Sequence, residues 1–191
     1  MIMIPCTLFY YRSLRIISIA SIVVFLAIGF VYFGQVAVIQ SFGFDPFVSL
    51  MLLGLSEILS HVILLCIITK TPRKKSSFIL FFIIILLLVV SGMVSPNDQC
   101  KNCPKGIAEI SLSFVVRFLM SFAFSLFLIY LPEVYPMRIR GIGYGIISGI
   151  GFNSATIAQI LFPYLEKKSI SPMYFQAFMC IIGFCCFFFF E

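Results

Sequence analysis

The chain has 191 residues, 62% of them hydrophobic and only 10% charged, with a formal net charge of +6 at pH 7 and a mean hydropathy of +1.16. A soluble domain of this size could not cover itself with so few polar side chains, which excludes a water-exposed globular fold and leaves the bilayer as solvent. The expected class is all-α: a polytopic membrane protein in which residues 1–191 form one compact bundle, because helices satisfy their own backbone in lipid.

Apolar runs of about 20 residues cross roughly 30 Å of hydrocarbon. Transmembrane helices are expected at 14–39, 47–69, 77–95, 107–131, 141–163 and 172–190. The first run far exceeds the roughly 7–15 apolar residues of a signal-peptide core, so it reads as a span. Asp45-Pro46, Thr71-Pro72, Pro96-Asn97-Asp98, Pro136 and Ser171-Pro172 punctuate the boundaries. No Ser/Gly linker and no polar domain interrupts the series, and no internal repeat stands out, although six spans divide by length into two groups of three.

Lysine and arginine sort by alternate connections. Arg12 and Arg15, Lys70, Arg73, Lys74 and Lys75, and Arg138 and Arg140 fall on one side, against Lys101, Lys105, Lys167 and Lys168 on the other. The positive-inside bias then places both termini in the cytoplasm, in an integral multi-pass protein. The positive net charge follows from this bias, with no need of nucleic acid as a partner.

Ionisable residues inside spans are costly and mark a pathway, a partner or a relay. Arg117 lies about ten residues into the fourth run, with Glu109 near its start, while Glu57 and His61 share one face of the second run at i, i+4. Arg117 has two readings: a lock between spans, neutralised by Glu57 or by helix carbonyls, or a contact for an anionic or polar group of a substrate. Glu57 reads as its partner or as a pathway residue. His61 reads first as a hydrogen-bonded packing histidine and second as a proton relay. One histidine beside one glutamate falls short of a metal site.

Cys100 and Cys103 make only half a zinc site and lack a βαβ context, which leaves a short outer-face disulfide or two idle thiols. Cys6, Cys66, Cys180, Cys185 and Cys186 are scattered filler. No nucleophile triad or phosphate-binding loop is visible, so neither an enzyme nor a cofactor is expected. Phe30, Tyr32, Phe33 and Gln35 in the first run, with Tyr130, Tyr144 and Phe152 elsewhere, are candidates to line a cavity for organic ions through cation–π contact. In a chain with 17% aromatics most such rings pack or face lipid.

The run Tyr130-Leu-Pro-Glu133-Val-Tyr-Pro136-Met-Arg138-Ile-Arg140-Gly141, with Arg117 sixteen residues before Glu133, resembles the tenth helix and following loop of the major facilitator superfamily. Within that superfamily it is most similar to the organic cation/anion transporter branch. Sugar porters share part of the motif but precede it with a G-P-x-x-W stretch, and this chain has no tryptophan. Leu8-Phe9 with Ser13-Leu14-Arg15, Tyr32-Phe33-Gly34 and Gly54-Leu55-Ser56-Glu57 resemble the family's seventh and eighth helices, and Thr69 to Lys75 sits where the family has D-R-x-G-R-R.

The resemblance implies one six-helix half of a major facilitator fold, the C-terminal one, moving small organic ions or zwitterions by alternating access. It implies substrate contacts from Tyr32, Gln35, Glu57, Arg117, Tyr130 and Asn153, and a cytoplasmic charge network of Glu133, Arg138, Arg140, Arg73 and Lys74. In that network Glu133 and Arg140 read as gate residues and Arg138 as a topological anchor.

Three departures accompany it. The first six family helices have no counterpart, so the expected partners besides lipid and solute are a second six-helix half from another chain or a homodimer. Thr69 and Pro72 replace an acid and a glycine of the inner-loop motif. Asn153 and Thr156 stand where charged selecting residues occur. A non-transporting subunit of a membrane assembly and a sugar transporter are the alternatives.

Overall fold

The computed structural model describes residues 12–41, 46–67, 73–94, 104–167 and 172–187. Among them the chain is all-helical, with no strand: α1 (Arg12–Ser41), α2 (Pro46–Ile67), α3 (Arg73–Val94), α4 (Pro104–Val134), α5 (Arg140–Lys167) and α6 (Pro172–Phe187).

Local chemistry sets several boundaries. α2, α4 and α6 each open on proline, whose missing N–H is an orphan at the first helical position anyway. α4 stops two residues before Pro136, whose ring cannot continue the helix. A tight turn follows, in which the Ile139 N–H donates to the Pro136 carbonyl. Pro132 and Pro163 are tolerated near the ends of α4 and α5. α5 starts at Arg140, so this arginine caps a helix and only Arg138 sits in the turn.

Four helices, α1, α3, α4 and α5, are long and apolar enough to cross a membrane. The sequence predicts six spans. Within the described residues α2 and α6 carry shorter apolar stretches, Leu50–Cys66 and Pro172–Cys186. α6 is 16 residues long, a rise of about 24 Å, which is less than the hydrocarbon thickness. The periphery is apolar: Phe47, Met51, Leu65, Met93 and Ile160 are each 71–80% exposed. In water such a surface would aggregate, and in lipid it is matched.

α1 and α4 are the central helices, more than half of each apolar stretch being buried, against about a third or less for α3 and α5. α1 packs on α5, α6 and α4, whereas α4 packs on α2, α3 and α1, and α3 meets α6. Exchanging α1 with α4, α2 with α5 and α3 with α6 leaves these principal pairings unchanged. In these principal pairings the bundle divides into two groups of three with the same pattern of neighbours, which the residues do not advertise. The main core runs along α1 and α4 through Phe25, Ile28, Val31, Val116, Met120 and Phe127, all nearly inaccessible.

Two further contacts tie elements together. The Tyr135 hydroxyl donates to Ser18 Oγ at 3.0 Å, pinning the turn after α4 to the start of α1. Gln35 Nε2 donates to Gln176 Oε1 across α1 and α6, with both side chains fully buried.

Candidate functional site

The site grows from a single energetic problem. An arginine inside an apolar helix needs partners, because an unpaired charge in the hydrocarbon region costs several kcal/mol. Arg117, 4% exposed, takes three. Its Nη2 donates to Glu57 Oε1 at 2.9 Å, its Nη1 donates to the Tyr32 carbonyl, and its guanidinium lies 3.9 Å from the centre of the Tyr32 ring. Three helices, α1, α2 and α4, are thereby joined at one residue. Glu57 is the exposed end of the pair, with 36% of its side chain accessible. The buried Nε of Arg117 has no partner among the described residues, so the fork the guanidinium offers to a carboxylate is half filled.

Aromatic rings continue the site. Tyr32 stacks on Phe124 with centroids 4.6 Å apart and planes 9° from parallel. Phe33 and Phe152 meet edge-on or tilted around this stack, and Phe25 closes it beneath, 5.6 Å from Phe124 and 5.7 Å from Phe152. The rings come from α1, α4 and α5. Phe152 is 46% exposed, so the cluster has a buried floor and an open wall beside the ion pair. Such a wall suits a flat or cationic organic group.

Below the pair a polar seam joins α2 to α4. Ser60 donates to Ser121 Oγ at 2.8 Å, and His61 Nε2 lies 2.9 Å from Ser125 Oγ. The same ring places Nδ1 2.7 Å from the Glu57 carbonyl. Glu57, Ser60 and His61 thus face Arg117, Ser121 and Ser125 in the same order, because the two helices run parallel.

The structure brings together Tyr32, Glu57 and Arg117. It turns Gln35 the other way, onto Gln176 of α6. Asn153 is exposed beside Phe152, but its Nδ2 donates to the Gly149 carbonyl of its own helix at 2.9 Å. Tyr130 lies thirteen residues beyond Arg117, about 20 Å along α4, so it belongs to the helix end. There Glu133 and Arg138 are exposed and Arg140 is half-buried, its Nε donating to the Tyr135 carbonyl at 3.5 Å. Arg73 and Lys74 open α3, but their side chains lie outside the described residues, as do the side chain of Glu109 and all of Cys6, Thr69, Pro72, Cys100 and Cys103. Cys66, Cys180, Cys185 and Cys186 are free thiols. Among the described residues no group of three His, Cys, Asp or Glu could hold a metal ion.

Phe124, Ser125 and Tyr135 are site or anchor residues that the sequence did not single out. Phe124 is one of 24 phenylalanines, and nothing in spacing distinguishes it. For Ser125 a signal existed: Arg117, Ser121 and Ser125 repeat at i, i+4, i+8 on one face of an apolar helix. No family model matches this chain, and no curated protein matches it either.

Proposed function

We propose that this chain is the C-terminal six-helix half of a transporter of the major facilitator type, nearest to the organic cation/anion branch. It would move small organic ions or zwitterions by alternating access, with its complementary half supplied by another chain, a second copy or a longer product of the same gene. The observation that carries this reading is the Arg117–Glu57 pair, whose guanidinium lies on the Tyr32 ring of a partly exposed aromatic cluster. The partly exposed Glu57 carboxylate offers an acceptor to a ligand whose apolar body lies on Tyr32, Phe33 and Phe152. The two equivalent three-helix groups support the same reading, since repeats of this kind are common in secondary transporters. At the far end of α4, Glu133 and Arg140 are the residues on which a cytoplasmic gate would close.

Uptake in cells expressing the longest product containing this chain tests the proposal, with a panel of labelled organic cations, anions and zwitterions. Saturable uptake of at least one, lost in Arg117→Leu at equal surface expression, is expected. No uptake of any panel member despite surface expression would sink it.

A second reading, a non-transporting subunit, is favoured by one observation: Arg117 is already held by a carboxylate, a carbonyl and a ring, as a purely structural lock would be. Purification in mild detergent separates the two, since a monomer without companions argues against a scaffold.

A further inference from the structure

The hydrogen bonds of His61 fix where its ring can accept a proton. A carbonyl only accepts, so the Nδ1 that lies 2.7 Å from the Glu57 carbonyl carries the hydrogen. In the neutral ring Nε2 then holds the lone pair, and Ser125 donates to it across 2.9 Å. Ser60 Oγ, 3.4 Å from Nδ1, lies 2.8 Å from both the Glu57 carbonyl and Ser121 Oγ, so the carbonyl is shared by the hydroxyl and the ring. His61 is exposed, while its two hydrogen-bond partners lie along the seam that holds Arg117. It is the chain's single histidine.

We propose that His61 is a proton-binding site coupled to the Arg117–Glu57 pair, so that proton uptake at Nε2 loosens the bond between guanidinium and carboxylate. The step is simple in its atoms. A proton from solvent forms an N–H bond at Nε2, and the Ser125 hydroxyl rotates from donating to accepting without moving its oxygen. No other bond is made or broken. The ring gains one positive charge.

That charge has few neighbours to answer it. On α2 itself Glu57 stands one turn away. On α4 Ser121 and Ser125 are neutral, whereas Arg117 and Glu133 each lie eight residues from Ser125, about 12 Å along the axis. From α1 Tyr32 reaches this seam, already engaged with the guanidinium. The group formed by His61, Glu57 and Arg117 then passes from neutral to a net charge of +1. Arg117 keeps the Tyr32 carbonyl and ring, so it loses its carboxylate without losing its place. Its Nη2 joins Nε as a free donor, and an acidic compartment thereby favours a ligand's anionic group at this fork. The proposal goes beyond transport, because the coupling would exist equally in a scaffold.

The test is nuclear magnetic resonance on the full chain in lipid nanodiscs, labelled at histidine and at the arginine guanidinium groups, from about pH 5 to 8. The Arg117 signals are assigned by their loss in Arg117→Lys. In the wild type the sole imidazole titrates, and the Arg117 guanidinium signals move with the same midpoint. In His61→Gln, at an exposed position where the fold should persist, the Arg117 signals stay fixed over the whole range. In Glu57→Gln the imidazole still titrates but Arg117 does not follow. Arg117 signals that stay still while the wild-type imidazole titrates would overturn the proposal. So would an imidazole that takes up no proton, or Arg117 signals that still move in His61→Gln. Because the measurement involves no uptake, it stands apart from the transport assay.

Discussion

The α1–α5 and α4–α2 seams are equivalent places in the two halves of the bundle, yet opposite chemistry holds them. Along α1 and α5 the contact is dry. Phe25 packs against Gly151, Gly29 faces Ser154, and Phe30 meets Phe162 edge-on at 5.3 Å. The helices approach closely because a Cβ at Gly151 would fall inside the Phe25 ring. Along α2 and α4 the contact is polar: a salt bridge, a serine pair and a histidine–serine bond, with Leu64, Phe122 and Leu126 as its only buried apolar cluster among the described residues. In lipid the apolar seam gains no hydrophobic energy and relies on fit, whereas the polar seam relies on partners that hydrocarbon cannot supply. Substitutions should therefore fail by different rules: by volume in one seam and by lost partners in the other.

The largest effect is expected in the polar seam. Glu57→Leu leaves Arg117 buried without its carboxylate and should cost about 3–5 kcal/mol of stability, read as a large fall in the thermal unfolding midpoint in detergent. A change under 1 kcal/mol would mean that the Tyr32 carbonyl and ring neutralise the arginine alone. Next comes Gly151→Ala, one methyl group in the dry seam. Overpacking against a ring with nowhere to go should cost about 1–3 kcal/mol, measured the same way, and Gly151→Ala combined with Phe25→Leu should recover part of it.

The Gln35–Gln176 pair tests the same contrast between α1 and α6. Gln176→Leu strands the Gln35 amide in a fully buried place and should cost about 1–2 kcal/mol, whereas Gln35→Leu with Gln176→Leu should come nearer to the wild type. The smallest effect belongs to Gly145→Ala on α5. A Cβ there meets nothing within 4 Å, and alanine is the better helix former by up to about 1 kcal/mol. Its midpoint should stay level or rise, and a fall comparable to that of Gly151→Ala would contradict the packing described for α5.

These contrasts also separate what was legible in the residues from what was not. The helical class and its fit to a bilayer were the legible part, since 62% hydrophobic residues fall in apolar runs and four of the resulting helices are long and apolar enough to cross a membrane. Glu57 and Arg117 stood out because charges in apolar runs are few and must find each other. The stacking of Tyr32 on Phe124 and the packing of Phe25 on Gly151 were not legible. One phenylalanine among 24 carries no signal, and which ring faces protein depends on helix rotation, which no hydrophobic period reports when every face is apolar. Gln35 was legible as a buried polar residue but not in its direction, because its partner Gln176 sits far along the chain near the start of α6. The equivalence of the two three-helix groups was hidden for the same reason that the seams differ: helix length and threading fix the arrangement, while side chains are free to diverge within it.

A double-mutant cycle on Glu57→Leu, Arg117→Leu and the pair together, followed by thermal unfolding in detergent, tests the central claim most directly. If Arg117 and Glu57 are the mutually dependent centre of the site, the double variant should be more stable than the Glu57→Leu single, with a coupling of at least about 2 kcal/mol. Additive losses, with the double variant worse than either single, would show that the two residues do not depend on each other and would contradict the account.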